Sequence, residues 1–389
     1  MSPEVEIAHA AREEIELASQ NAEQDCRLPT ELIRKLGQKG LFTMMIPTDY
    51  GGTQREPQES LDMIEALAYA DSAVGWCAMI YTTTALLGSF LPERWAREIY
   101  GINESGGTYD CPIGAGAAAP SGRGKVVDGG ISVTGRWAWG SGSHHADWIC
   151  GGALIEEEDG DVRRHANGEP AVYVMFFKQE EVQLHTNWNP SGLRGTGSVD
   201  FEVRDVFVPE ARWTVLGASR RQVDAPLYRF PFFGYFAAAV ASVPLGIARR
   251  AIDDFETLAR AKVPTANKST LSTSSITQIE FGQAESLAQG SAHYLRSVVQ
   301  QAWQRINSDG SATLEDRRAL RLAASQATLM ATQAVDKLYN AAGGSALQGD
   351  VSLQKHFRDI HAATQHRMVS PEILRMAAAV RLDDQPGQL

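Results

Sequence analysis

The chain has 389 residues, of which 43% are hydrophobic and 21% are charged, and its formal net charge is −11. This length allows two or three domains with a large buried core, and the acidic balance argues against nucleic acid or a membrane as a partner. The four cysteines are far apart and form no CxxC pair. We therefore expect reduced thiols in a cytoplasmic protein, with neither a disulfide framework nor a zinc site.

Residues 1–105 carry the pattern of an N-terminal helical domain. The first twenty residues are charged and have helical spacing, unlike a signal peptide. Apolar residues recur at three- and four-residue intervals in ELIRKLGQKGLF and in SLDMIEALAYADSAVGWCAMIYTTTALLGSFL. The loop IPTDYGG at 46–52 separates these two stretches.

Residues 106–215 change to the pattern of a compact β domain. Glycine is dense, and short alternating runs predict strands in GISVTGRWAW, DWICGGALI, AVYVMFF and VDFEVRDVFVP. The tripeptide Asp128-Gly129-Gly130 predicts a tight hairpin turn.

Residues 216–389 return to long amphipathic helices, which predict a helical bundle. Gly343 and Gly344 follow the third of these helices as a C-cap would. The longest apolar run, 235–248, is too short to cross a bilayer and predicts a buried helix. The order of a helical domain, a β domain and a helical bundle indicates an α+β fold.

Four local motifs resemble those of the acyl-CoA dehydrogenase superfamily, in the same order and over essentially the whole chain. They are IPTDYGG, GRWAWGSGSHHADW (135–148), SGLRGTGSVDFEVRDVFVP (191–209) and YNAAGGSALQGDVSLQKHFRDIHAATQH (339–366). The resemblance implies an N-terminal helical domain, a central β-barrel or sandwich, and a C-terminal four-helix bundle. It also implies a bound flavin and a homotetramer.

The superfamily contains dehydrogenases and, in a separate branch, the oxygenase components of two-component monooxygenases. The dehydrogenases need a glutamate eight residues after the Asp of an Arg-Asp pair, or eight residues before the Pro of a PLG turn. Here these positions hold Arg367 and Phe236, and neither side chain can act as a base near neutral pH. The resemblance therefore favours the monooxygenase branch, in which a separate flavin reductase supplies FADH2 or FMNH2.

His366 and Ser141 are the predicted catalytic residues. The resemblance places His366 near the C4a–N5 edge of the flavin, where it can hydrogen-bond a C4a-hydroperoxide formed with O2. It places Ser141 beside flavin N5, with Ser143 as a substitute. The alternatives are a structural histidine bonded to a backbone carbonyl, and serines with a purely structural role.

The resemblance also implies the cofactor contacts. They are Trp137, Trp139, Gly140, Ser141, Gly142, Ser143, Gly343, Gly344, Arg358 and Gln365. Strand alternation puts Trp137 and Trp139 on one face, either as a wall along the flavin or as core. Gly140 and Gly142 permit a close approach to the ring. Arg358 is also interpreted as a structural ion pair with Asp359.

The predicted substrate pocket is apolar. Some hydroxylases of this branch carry a second histidine after a GW pair, but none follows Gly75-Trp76 here. The predicted lining is Met79, Tyr81, Thr84, Phe90 and Phe236. It suits a small apolar substrate, such as an indole, a polycyclic ring or a terpenoid. No metal is expected, because His144 and His145 point to opposite faces of a strand.

The leading hypothesis is thus the oxygenase component of a reduced-flavin-dependent monooxygenase. An acyl-CoA dehydrogenase or flavin oxidase with a base at a third position is the first rival. A non-catalytic scaffold is the second. FAD and FMN both remain open.

Overall fold

The computed structural model describes residues 2–105, 108–157, 160–217, 220–265, 268–348 and 352–382. The helices described before residue 101 are α1 (Pro3–Ala10), α2 (Arg12–Ala18), α3 (Ala22–Asp25), α4 (Thr30–Gln38), α5 (Pro57–Ala70), α6 (Ser72–Ala85) and α7 (Glu93–Tyr100). The long apolar stretch after residue 59 is divided into α5 and α6. Asp71 causes the division, because its carboxylate accepts hydrogen bonds from the N–H groups of Ala73 and Val74 and thereby caps α6.

The middle of the chain forms a sheet and a small hairpin. The described strands are β1 (Asn103–Ser105), β2 (Thr108–Asp110), β3 (Gly114–Val127), β4 (Gly130–Gly140), β5 (Trp148–Glu156), β6 (Tyr173–Lys178), β7 (Gln183–Leu184), β8 (Val199–Pro209) and β9 (Trp213–Val215). The strand order is β7-β8-β4-β3-β5-β6-β9, with β3 and β5 parallel and the other neighbours antiparallel. The predicted turn is confirmed, because Val127 pairs with Gly130 and Gly129 has φ 75°.

The last part of the chain is helical again. Its described helices are α8 (Pro226–Arg229), α9 (Phe232–Ala261), α10 (Ser275–Asp309), α11 (Leu314–Ala342), α12 (Ser352–Ala363) and α13 (Pro371–Leu382). Helices α9, α10 and α11 pack on one another, and α12 packs on α9 and α11. The α+β fold predicted from the sequence is confirmed. Gly343 follows α11 directly with φ 59°, as the predicted C-cap requires.

The buried helix predicted at 235–248 is part of α9, whose residues 237–248 are all buried. The PLG segment at 244–246, taken above as a turn, instead lies inside the helix, with Pro244 in its interior. The segments Ser72–Phe90 and Phe232–Ala261 are both long and apolar enough to cross a membrane, although 94% and 78% of their most apolar windows are buried inside the fold. Packing within the protein accounts for this apolar character. The predicted domain boundaries stay predictions, and the first of them adjoins residues 106 and 107, which lie outside the described residues.

A buried carboxylate joins the three parts of the chain. Asp359 on α12 is 1% exposed and accepts hydrogen bonds from the Leu193 N–H at 2.6 Å and the Ser72 hydroxyl at 2.5 Å. The ammonium group of Lys355 lies 3.3 Å from it and 3.1 Å from Asp71. Burial acts to lower the pKa of Lys355, but the two carboxylates outweigh burial and raise it. Asp359 therefore fixes α12 against both the N-terminal helices and the loop before β8.

The predicted ion pair between Arg358 and Asp359 is wrong. The guanidinium of Arg358 instead pairs with Glu23 at 2.9 Å and donates to the Ser191 carbonyl at 2.7 Å. Neighbouring residues on a helix point about 100° apart, so the two side chains meet different partners.

We expect Asp359→Ala to lower the free energy of unfolding by about 3 kcal/mol or more, because it leaves the buried Leu193 and Ser72 donors without an acceptor and removes one of the two carboxylates beside Lys355. Urea denaturation measures the change. Asp336→Ala is the control, because Asp336 pairs with His361 at 2.9 Å but its side chain is 37% exposed, so its loss should cost below about 1 kcal/mol. Equal losses in the two variants would contradict the assignment.

Candidate functional site

Ser141 lies at one end of a chain of hydrogen-bonded hydroxyl groups. Its Oγ atom accepts from the indole N–H of Trp76 at 3.0 Å and lies 2.6 Å from Ser198 Oγ. Ser198 Oγ lies 2.7 Å from Thr196 Oγ1, which donates to the Leu193 carbonyl at 2.8 Å. All three hydroxyl residues are buried. The chain thus links the turn after β4 to the segment before β8.

The hydrogen bonds of this chain have one direction. Each hydroxyl has one hydrogen, and that of Thr196 is used on the Leu193 carbonyl. Ser198 must therefore donate to Thr196, and Ser141 must donate to Ser198. One lone pair of Ser141 takes the Trp76 N–H, so the lone pair that remains makes Ser141 an acceptor for any ligand.

A bulge in β4 sets the direction of the two tryptophans, and it overturns the expectation that they share a face. The pairing of β4 with β8 shifts between Trp137 and Gly140, and Trp139 has φ 61°. Trp137 is fully buried, stacks on Phe201 at 5.0 Å between ring centroids, and donates to the Gly152 carbonyl at 2.8 Å. Trp139 is 73% exposed. Trp137 is therefore core and has no surface for a cofactor, whereas Trp139 is available.

The glycines and Ser143 of this turn face the protein interior. A Cβ on Gly142 would come within 2.6 Å of the Tyr81 ring, and one on Gly140 within 2.7 Å of Phe201. Gly142 also has φ 73°, a conformation that favours glycine. Ser143 is fully buried, and its hydroxyl has no partner among the described residues. A side chain at either glycine would thus collide with protein side chains, and the predicted close approach of Gly140 and Gly142 to a flavin stays a prediction.

His366 begins the turn that follows α12, and its ring lies between two aromatic rings. Its centroid is 5.6 Å from that of Trp76 and 5.3 Å from that of Phe236, both edge-to-face. Nδ1 accepts from the Met368 N–H at 3.2 Å, so the neutral ring carries its hydrogen on Nε2. Burial, and then the cation Arg321, lower the pKa of His366 to about 4. At neutral pH His366 is therefore an uncharged donor.

Trp76 connects the two predicted catalytic residues, since its indole N–H binds Ser141 and its ring contacts His366. Neither Trp76 nor Ser198 was among the site residues predicted from the sequence. The signal for Trp76 was its GW pair, and the signal for Ser198 was its position two residues after Thr196 in GTGS.

The predicted substrate pocket is mostly core. Met79 is fully buried. The Tyr81 hydroxyl lies 3.3 Å from His145 Nδ1, and the Thr84 hydroxyl lies 2.6 Å from the Gly114 carbonyl. Phe90 is half-buried in the turn after α6. Among the described residues of this set, Phe236 alone contacts His366.

The predicted cofactor contacts of the C-terminal segment lie apart from this chain of contacts. Gly343 and Gly344 are exposed at the end of α11, and Gln365 is exposed beside His366. Arg358 is held by Glu23. Among the described residues no hydrogen bond joins these four to Ser141, and their role in cofactor binding stays a prediction.

The His144–Asp147 segment has structural partners. His145 Nε2 lies 2.9 Å from the Leu28 carbonyl, and Asp147 forms two 2.8 Å hydrogen bonds with Arg34. Burial lowers the pKa of His145 to about 4. In the part of the chain that the structure describes, no three His, Cys, Asp or Glu residues are grouped to hold a metal ion.

The chain is similar to known proteins over most of its length. Residues 5–91 match the family Acyl-CoA dehydrogenase, N-terminal domain, and residues 238–371 match Acyl-CoA dehydrogenase, C-terminal domain. The chain is 29% identical to an indole-3-acetate monooxygenase of Acinetobacter baumannii, over 92% of this chain and 89% of that protein. It is 28% identical to the flavin-dependent monooxygenase, oxygenase subunit HsaA, of Rhodococcus jostii, over 91% of both chains.

Two solved structures have the same fold. The 3-HSA hydroxylase of a Rhodococcus species superposes with a TM-score of 0.87 at 25% identity, covering 98% of this chain and 97% of that one. XiaF of a Streptomyces species, solved with FADH2 and glycerol, has a TM-score of 0.86 at 23% identity and covers 99% and 96%.

We expect the melting temperature to fall as the pH decreases from about 6.5 towards 4. In this window unfolded His366 and His145 bind protons that the folded residues do not bind, because their folded pKa values are lowered. His366→Gln should therefore melt with a shallower pH dependence than the wild type. Thermal melts at about pH 7.5, 6.5, 5.5 and 4.5 measure both slopes. Identical slopes would show that the pKa of His366 is not lowered in the folded protein.

Proposed function

Since the chain belongs to the acyl-CoA dehydrogenase superfamily and to its flavin-dependent monooxygenase branch, we propose that it uses reduced flavin and O2 to hydroxylate a small aromatic substrate. The single observation that carries the proposal is the acceptor polarity of Ser141, held by Trp76 next to the neutral donor His366.

The polarity of Ser141 fits one redox state of flavin. Reduced flavin carries a hydrogen on N5, and oxidised flavin presents a lone pair there. The free lone pair of Ser141 Oγ accepts from the first and repels the second. Ser141 thus selects the form that a separate reductase delivers.

His366 supplies the complementary group. The neutral ring donates through Nε2–H, and because the pKa of His366 is lowered to about 4, the ring keeps the same charge between about pH 6 and 8. Bound reduced flavin supplies two electrons to O2, so that one oxygen atom enters the substrate and the other leaves as water. The rings of Trp76 and Phe236 beside His366 exclude bulk water from the reacting edge.

The dehydrogenase alternative has no base at this place. Its two expected positions hold Phe236, whose ring contacts His366, and Arg367, which is exposed. Among the described residues no Asp or Glu side chain is hydrogen-bonded to His366 or Ser141. A hydroxylation site needs no such carboxylate.

The proposal extends to partners and assembly. We place the protein in the cytoplasm as a homotetramer that receives FADH2 or FMNH2 by diffusion from a separate reductase. Exposed apolar residues on α10 and α11 support contacts between subunits; they are Ile276, Ile279, Tyr294 and Leu329. The name of the indole-3-acetate monooxygenase supports an aromatic substrate such as an indole, and the name of the oxygenase subunit supports a separate reductase.

Anaerobic mixing with reduced FMN or FAD, followed by oxygen in a stopped-flow spectrometer, tests the function. We expect a transient spectrum that differs from both reduced and oxidised flavin. Ser141→Ala and His366→Ala should each shorten its lifetime about tenfold, since each removes one hydrogen bond to a reacting group. His361→Ala, at the exposed end of α12, is the control. Reoxidation at the rate of free flavin, without a transient, would sink the oxygenase assignment.

Ser198→Ala tests the redox selection separately. Without Ser198 the Ser141 hydroxyl is free to rotate and donate to N5 of oxidised flavin. The dissociation constant of oxidised flavin divided by that of reduced flavin should therefore fall about tenfold. Thr134→Ala, which removes an exposed hydroxyl bound to Asp205 at 2.9 Å on β4, is the control. An unchanged ratio in Ser198→Ala would show that the chain does not set the polarity of Ser141.

A further inference from the structure

Arg321 on α11 is a buried cation without an anion. Its side chain is 3% exposed, and its Nε atom has no hydrogen-bond partner among the described residues. None of the described acidic side chains forms an ion pair with it. The one charged group that changes the pKa of Arg321 is a second cation, Arg367, which lowers it. Burial of an unpaired charge is strongly unfavourable, so a partner is expected.

Arg212 shows how this protein otherwise treats a buried arginine. Arg212 is also 3% exposed, but its guanidinium pairs with Glu181 at 3.0 Å and lies over the rings of Trp95 and Trp148. Arg321 has no equivalent of any of these contacts in the described structure. The difference marks Arg321 as a group whose partner is a ligand.

Arg321 lies beside the His366 site. The turn Arg367–Val369, which begins directly after His366, packs on both α9 and α11. After burial, Arg321 is the group that lowers the pKa of His366. Leu320, its neighbour in the chain, packs on Gly234 near the start of α9, two residues before Phe236.

Ser325 is a second polar group without a partner on the same side of α11. It follows Arg321 by four residues, is 4% exposed, and its hydroxyl has no partner among the described residues. Burial and the nearby Arg367 lower the pKa of Arg321 to about 10, so Arg321 stays charged at neutral pH. A cation and a hydroxyl, both buried and both unsatisfied, form a site for an oxyanion.

We propose that Arg321 and Ser325 bind the carboxylate of the substrate, and that the substrate is therefore an aromatic acid rather than an uncharged ring. This rests on the proposed function. The planar guanidinium offers two parallel N–H groups to a carboxylate, and Ser325 offers a third donor. The aromatic ring of the substrate then lies against Phe236 and Trp76, beside His366. The substrate pocket is then apolar where it holds the aromatic ring and polar where it holds the carboxylate.

The phosphate of a flavin has similar oxyanion chemistry. It stands at the far end of the ribityl chain, however, whereas Arg321 lies beside the residue that faces the reacting edge of the ring. The substrate carboxylate is thus the better fit, and the experiment separates the two.

The test compares matched pairs of ligands that differ by the carboxylate. Indole-3-acetate is paired with 3-methylindole, and p-hydroxyphenylacetate with p-cresol, in anaerobic calorimetry with the protein and reduced FMN. The wild type should bind at least one acid more tightly than its neutral partner. Arg321→Met should weaken binding of that acid about 30-fold and leave the neutral partner within about twofold. Arg317→Met, an exposed arginine one turn earlier on α11, should change neither.

Stability gives an independent readout. Ligand-free Arg321→Met should melt at a higher temperature than the wild type, because it removes an unpaired buried charge. A lower melting temperature would assign Arg321 a structural role and overturn the proposal. If Arg321→Met does not fold, Arg321→Lys, which keeps the charge without the planar fork, should show a smaller loss of acid binding.

The remaining outcomes are also decisive. A loss of affinity in Arg321→Met for reduced FMN, but not for reduced riboflavin, would assign the site to the flavin phosphate and overturn the proposal. Equal affinity of the wild type for each acid and its neutral partner would overturn it while leaving the proposed function intact. Failure of the wild type to bind reduced flavin at all would overturn both.

Discussion

The hydrogen bonds of Asp359 hold the rest of the site in place. This carboxylate is buried where α12, the start of α6 and the loop before β8 meet, and it binds one group from each. Each of these segments carries a part of the site further on: His366 after α12, Trp76 on α6, and Thr196 and Ser198 before β8. A single buried acceptor thus sets the relative positions of residues that are far apart in the chain. Its hydrogen bonds stabilise the arrangement of the three segments rather than any one domain.

The order of elements could be predicted from the sequence because hydrophobic period and turn residues are local signals. Strands β5 and β6 are short apolar runs, and β4 and β8 alternate over part of their length. Strand β3 gives neither signal, since GAGAAAPSGRGKVV has few large side chains. The environments of Trp137 and Trp139 could not be predicted. A bulge breaks the two-residue period between them, and nothing local announces it.

The site was predictable in part, for a related reason. Ser141 and His366 stand in segments that resemble a known family, so the motif found them. Trp76 and Ser198 join the site through tertiary contacts: Ser141 and Ser198 are 57 residues apart, and Trp76 and Ser141 are 65 apart. Met79, Tyr81 and Thr84 share α6 with Trp76 but turn into the core, because an apolar sequence does not distinguish a pocket wall from packing.

The one-way chain from Ser141 to the Leu193 carbonyl bears on the order of events in a catalytic cycle. If Ser141 faces flavin N5 as proposed, a hydrogen on N5 would be attracted to the lone pair of Ser141. Loss of that hydrogen on oxidation would leave two lone pairs facing each other in a buried place, and the same contact would become repulsive. The spent cofactor would then be expelled by its own change of state, without a moving lid or an input of energy. An oxygenase that receives reduced flavin from a separate reductase has to release the oxidised form, and this chain of three hydroxyl groups would favour that release.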